Sequence, residues 1–206
     1  MPFTPEILLK IHSTLDFAFA EDLVFWSVIT TGFFSLARAA NLLHTSSDSF
    51  QIKRGQIFID GNVMLLVFSH TKTIQFGEKQ LLIPLLAIKN SPLCPITAYR
   101  AMLERIPAPA DAPAFVLPCL GNLVPYTYSK FSKKLRDVIS LIDMNPRLYT
   151  SHSMRRGGAS LAYHAGVPMR MIQIQGDWAS DSYLRYIKLP HSDRLAVAQK
   201  LAGAVM

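Results

Sequence analysis

The sequence predicts an α+β fold that is mainly helical and carries one small three-stranded antiparallel sheet. Three observations carry this prediction. Apolar residues recur at helical spacing towards both ends of the chain, strand composition is confined to residues 56 to 86, and half of the 206 residues are apolar, enough for a substantial core. The order is helices, small sheet, helices, with no repeat, no low-complexity stretch and no linker, so one domain spanning residues 1–206 is expected.

From Pro5 to Leu43, Ile7, Leu8 and Ile11 and then Leu23, Val24, Trp26 and Ile29, continuing through "TTGFFSLARAANLL", predict two or three packed helices. "QIFID" turns through Gly61 and Asn62 into "VMLLVFSH", a hairpin signal. "QLLIPL" supplies a third strand after the polar connector "TKTIQFGEK", whose tip is basic. "SPLCPITAYRAMLERI" (91–106) reads as a helix opened by Pro95, and "PAPADAPAF" after it as a surface loop. Residues 127–143 form an amphipathic pattern with Lys130, Lys133, Lys134 and Arg136 on or near the polar face, which suits either solvated surface or phosphate contact. Thr150 and Ser151 are N-cap candidates, Gly166 and Pro168 punctuate a turn, and "MRMIQIQGDW" is a short helix ended by Gly176. "DRLAVAQKLAGAV" (193–205) is a last helix, docked on a neighbour or packed in its own core.

Charge narrows the function classes. Lys and Arg number 21 against 14 Asp and Glu, a formal charge of +7, which suits an anionic partner such as nucleic acid and also plain solubility. Cys94 and Cys119 form no C-x-x-C pair, which implies a reducing compartment. Apolar runs such as "VMLLVF" are too short to span a bilayer, so no membrane segment is expected. There is no cluster of carboxylates or of His and Cys to hold a metal, and no cofactor is called for.

The densest chemistry lies in "SHSMRRGGAS" (151–160). His152 and Arg155, three apart at a helix start, project from one face, and a helix N-terminus favours an anion. This outlines a phosphate site, although a capped helix with a surface His and Arg has the same pattern. "GDWASDSYLRYI" (176–187) resembles the nucleophile segment of the tyrosine recombinases, the phage-integrase family, in which a tyrosine stands nine positions after the His or Trp that follows a glycine. Tyr186 lies nine after Asp177. "HSMRRGGAS" resembles the family's H-x-x-R motif at His152 and Arg155, and "TGFFSLARAANLL" looks like the helix turn that carries its first arginine, here Arg38. Lys72 in "SHTKTIQFGEK" matches the family lysine between the second and third strands, with Lys79 as a rival. The motifs run in family order over nearly all of the chain, and they are most similar to recombinases of eukaryotic DIRS and Ngaro-type retroelements.

The resemblance implies the fold of the tyrosine-recombinase catalytic domain and the cleavage and rejoining of DNA strands through a 3′-phosphotyrosine. A phenol with a pKa of about 10 must lose its proton to attack a phosphodiester. Arg38 and Arg155 would clamp the nonbridging oxygens, Lys72 would protonate the leaving 5′-oxygen, and His152 would accept the tyrosine proton or hold the phosphate. Tyr183 competes with Tyr186 for the nucleophile, and the spacing favours Tyr186. Arg156 and the lysines at 130, 133 and 134 are candidate DNA contacts. The implied partner is double-stranded DNA, with a homo-tetramer on two duplexes, or a monomer without DNA; the implied location is the nucleus, or the cytoplasm for a prokaryotic source.

The chain departs from the family at three points. Asn41 stands where many members have an acidic residue three after the first arginine, so no acidic partner is expected for Arg38. Asp177 occupies the register of the His or Trp; Trp178 is expected to take the inner position and Asp177 to point outward or pair with a basic side chain. The DNA-clamping domain that usually precedes the catalytic one is expected to be absent, since Met1 begins almost at the catalytic domain. Two alternatives remain: a helix-turn-helix module in "GASLAYHAGVPMRMIQIQ", and a domesticated derivative that binds DNA without cutting it.

Overall fold

The computed structural model describes residues 1–46, 50–74, 80–186 and 191–204, with the backbone alone for Arg185, Tyr186, residues 191–194, Ala196 and Val197. Its organising element is α2 (Ala20–Ser35), which follows α1 (Pro5–Ser13). From Leu23 onward helix α2 is apolar or small all round, and even Ser27, Thr30, Thr31 and Ser35 are buried, the signature of a helix enclosed by its neighbours. It ends where Leu36 turns left-handed at φ 57°, and Arg38 follows in extended conformation before the single turn α3 (Ala39–Leu42). Arg38 therefore stands at a break between helices, not on a helix turn.

The sheet is the meander expected: β1 (Ile57–Asp60), β2 (Val63–Phe68) and β3 (Leu81–Leu86), antiparallel in sequence order, with Ile57 opposite Leu66 and Leu66 opposite Ile83. These three and Met64, Phe68 and Leu85 face the core, where β3 meets α2 and α4 (Pro95–Arg105). The proline-rich stretch 107–115 is more than a surface loop. Arg54 and Gly55 donate backbone hydrogen bonds to Ala112 O and Ala110 O, and Ala114 and Phe115 are buried. It leads into a second hairpin that the sequence did not announce, β4 (Val116–Cys119) and β5 (Asn122–Pro125).

Helix α5 (Tyr128–Leu141) is capped by Thr127 Oγ1, which accepts from Lys130 N at 3.2 Å, and buries Phe131, Leu135, Val138 and Ile139. Then come α6 (His152–His164), α7 (Met169–Gln175), a 3-10 segment (Asp181–Tyr186) and α8 (His191–Gly203). Ser151 holds the N-cap position of α6 but makes no capping bond; its hydroxyl meets Tyr128 Oη at 3.1 Å. Among the described residues, no helix is long and apolar enough to cross a membrane.

The glycines of "RRGG" answer why that stretch carries so few side chains. A Cβ on Gly157 would lie 2.2 Å from Phe3 O and one on Gly158 2.0 Å from Phe33 O. Helix α6 is thus pressed against the N-terminal segment and against α2 at backbone contact, which brings its Arg155 to the end of α2.

Candidate nucleic-acid interface

Arg155 is 4 % exposed. Its Nη1 donates to Leu36 O at 2.6 Å, and its guanidinium carbon lies 3.7 Å from the centroid of the Trp178 ring. A desolvated cation over an indole face is worth about 2 kcal/mol, so the guanidinium is held from below by an aromatic plane and from behind by a helix-terminal carbonyl. The ring itself is fixed by packing with Leu36, Ala159, Ile172 and Tyr183. It also lies flat on the chain before it: a Cβ on Gly176 would be 1.7 Å from the indole carbon Cζ3, so only glycine fits there. Trp178 is buried, and its ring lies against the Arg155 guanidinium.

Arg38 sits beside this pair and is held differently. Its Nη1 donates to Asp177 Oδ2 at 2.8 Å and its Nη2 to Asp177 O at 2.7 Å. The expectation that Arg38 has no acidic partner is corrected: the carboxylate missing at Asn41 comes from 139 residues along the chain, at Asp177. Asp177 accordingly pairs with a basic side chain, one of the two alternatives expected for it. Its other oxygen accepts from Thr73 Oγ1, next to Lys72, which is exposed.

His152 opens α6 at the surface. Partial desolvation and the positive charges of Arg155, Arg156 and Arg38, in that order, hold its imidazole below the usual histidine pKa. The neutral form is therefore favoured at neutral pH, as a proton acceptor requires. All three arginines thus act on the imidazole through their charge.

The remaining candidates lie as follows. Tyr186 ends the 3-10 segment, which packs on α6; its side chain lies outside the described residues, as does Lys79. Tyr183 is buried against Trp178, ring centroids 5.8 Å apart. Arg156 is half-buried in the groove between residues 1–5 and α6, beside Ser160 and His164. Lys130 and Lys133 are exposed on α5. The expectation for Lys134 is corrected: its ammonium lies 2.5 Å from Asp22 Oδ1. The Asp22 carboxylate is 8 % exposed, and a buried carboxylate needs a counter-charge, so this lysine is engaged in the fold. Sequence reasoning missed Thr73; the "TKT" run, two threonines flanking a lysine in a connector, was the available signal.

No family model and no curated protein matches the sequence. Solved structures do match. A XerH site-specific recombinase bound to its difH substrate before cleavage superposes with a TM-score of 0.66 at 15 % identity, over 96 % of this chain and 53 % of that one. The XerA recombinase gives 0.66 at 14 % identity, over 97 % and 63 %. The integrase of the transposon Tn1549, in complex with a circular intermediate DNA, gives 0.62 at 13 %, over 97 % and 65 %. The chain therefore has the fold of a tyrosine-recombinase catalytic domain, and it spans about half to two thirds of the length of these proteins.

Proposed function

We propose that the chain is the catalytic part of a tyrosine recombinase, which cleaves and rejoins duplex DNA through a 3′-phosphotyrosine on Tyr186. The observation that carries this is the convergence of Arg38, Arg155 and His152 at the junction of α2 and α6, with the Lys72 segment tied alongside through Asp177. In the reaction the Tyr186 oxygen attacks the scissile phosphorus and its proton passes to His152. The P–O bond to the 5′-oxygen breaks, and Lys72 supplies the proton that this oxygen takes up. The arginines meet the charge that builds on the nonbridging oxygens. Attack by a 5′-hydroxyl reverses each step, so the bond energy is kept and rejoining needs no ATP.

The burial of Tyr183 supports Tyr186 as nucleophile. Helix α7 exposes Met171 and Ile174 with Arg170 as its one cation, a poor surface for phosphates, which weighs against the helix-turn-helix module. A role for a retroelement-like mobile element in the nucleus, and assembly as a tetramer on two duplexes, rest on the resemblance of "HSMRRGGAS" and "GDWASDSYLRYI". One observation favours a second reading, a derivative that binds without cutting: Asp177 already occupies Arg38. A nicked suicide substrate separates the two. Wild type should form a covalent adduct that maps to Tyr186 and disappears in Tyr186→Phe. No adduct with retained binding would establish the second reading, and an adduct on Tyr183 would refute the assignment.

A further inference from the structure

We propose that Asp177 is a positioning residue that docks the Lys72 turn onto Arg38, so that the proposed general acid and the first arginine are placed as one unit. This rests on the strand-cleavage reading above. Residues Thr71–Ile74 form a closed turn: Thr71 N donates to Ile74 O at 3.0 Å, and Thr71 Oγ1 accepts from Thr73 N at 3.2 Å and from Ile74 N at 3.1 Å. Lys72 is part of that turn and moves with it. Thr73 Oγ1 donates to Asp177 Oδ1, while Asp177 Oδ2 and Asp177 O accept from the two Nη atoms of Arg38. One residue thus joins a β2–β3 segment to the break after α2.

Asp177 is built for the task. It follows the end of α7 with its N–H donating to Ile174 O at 3.0 Å and a left-handed φ of 53°, a conformation that Asp tolerates better than most residues. The next residue is Trp178, the platform under Arg155. Two consecutive side chains therefore each support one arginine. The pairing also resolves the charge conflict raised by an acid beside a phosphodiester: the carboxylate is matched by one guanidinium N–H and a hydroxyl donor, and with the bond to the backbone Asp177 O the residue takes up two of the five N–H groups a guanidinium carries.

Two variants and two measurements test this. Thr73→Val removes the tether to the turn alone, and Asp177→Asn weakens both links. Hydrogen exchange of the DNA-free protein should rise over residues 71–74 in both; unchanged exchange in both overturns the proposal whatever the protein does to DNA. Single-turnover cleavage should fall on the order of tenfold in Thr73→Val, the loss of one charge-assisted hydrogen bond. It should fall on the order of a hundredfold in Asp177→Asn, as expected for a misplaced catalytic group. On a substrate with a bridging 5′-sulfur, whose departure needs no proton, Thr73→Val should match wild type, while Asp177→Asn keeps the part of its deficit that belongs to Arg38. Faster cleavage by Asp177→Asn would also overturn the proposal, because the carboxylate would then compete with phosphate for Arg38. If wild type forms no adduct with either substrate, the cleavage reading fails, and the exchange measurement alone decides the docking.

Discussion

Arg155 and Arg38 are held by consecutive residues, Trp178 and Asp177, yet they are placed by different physics. Arg155 is fixed by packing: two glycines let α6 touch α2, an indole lies under the guanidinium, and a backbone carbonyl receives it. Arg38, about a fifth exposed, is fixed by one residue across 139 positions. The first arrangement can change only if the core changes. The second is a partly hydrated ion pair that salt or a competing anion can loosen. One half of the site is therefore rigid before any ligand arrives, and the other half is adjustable.

Mutations that attack the packed half should have the largest effects. Trp178→Ala removes an aromatic side chain buried against Tyr183, Ile172 and Leu36 and should cost about 4 kcal/mol in urea unfolding; Trp178→Phe, which keeps a ring under Arg155, should cost clearly less. Gly158→Ala should follow, at about 3 kcal/mol, because the new methyl meets Phe33 O, which belongs to α2 and cannot swing aside. Arg38→Ala, on the adjustable half, should cost only about 1 kcal/mol of stability. That cost should shrink further in 1 M salt, where the screening length is about 3 Å, whereas the Trp178→Ala cost should not. If Arg38→Ala proved as destabilising as Trp178→Ala, the contrast between the halves would be lost.

The smallest effect concerns His152, which senses both halves. Its folded pKa lies below the unfolded value of about 6.5. Protonation is thus disfavoured in the folded state: the stability this residue contributes is full above pH 6.5 and is lost as pH falls through the folded pKa. An NMR titration of the imidazole should show a midpoint below the ordinary one, and Arg156→Ala should move it upward by removing one of the three cations. A midpoint that stays put in Arg156→Ala would take that arginine out of the site's electrostatics.

What was legible in the sequence follows the range of the forces involved. Local periodicity and turn chemistry gave the three-stranded meander, helix α4 opened by Pro95 and the amphipathic α5. The β4–β5 hairpin escaped because Pro118 and Pro125 argue against strands. At the site, the spacing of His152 and Arg155 is local and could be read. The pairing of Arg38 with Asp177 and of Lys134 with Asp22 could not, since each joins distant segments and no period in the chain encodes it. At Asn41 the local position lacks an acid, and the fold supplies one from elsewhere, at Asp177.

The bond from Arg155 to Leu36 O has a consequence in helix dipoles. Leu36 caps the C-terminal, electronegative end of α2, and α6 begins with its electropositive end at His152, so two helix termini of opposite polarity meet where a phosphodiester would lie. Left bare, the first would repel the anion that the second attracts. Arg155 covers the repelling terminus and adds its own charge to the attracting one. A neutral residue at 155 would thus do more than delete one cation: it would also uncover a negative pole at the junction of α2 and α6.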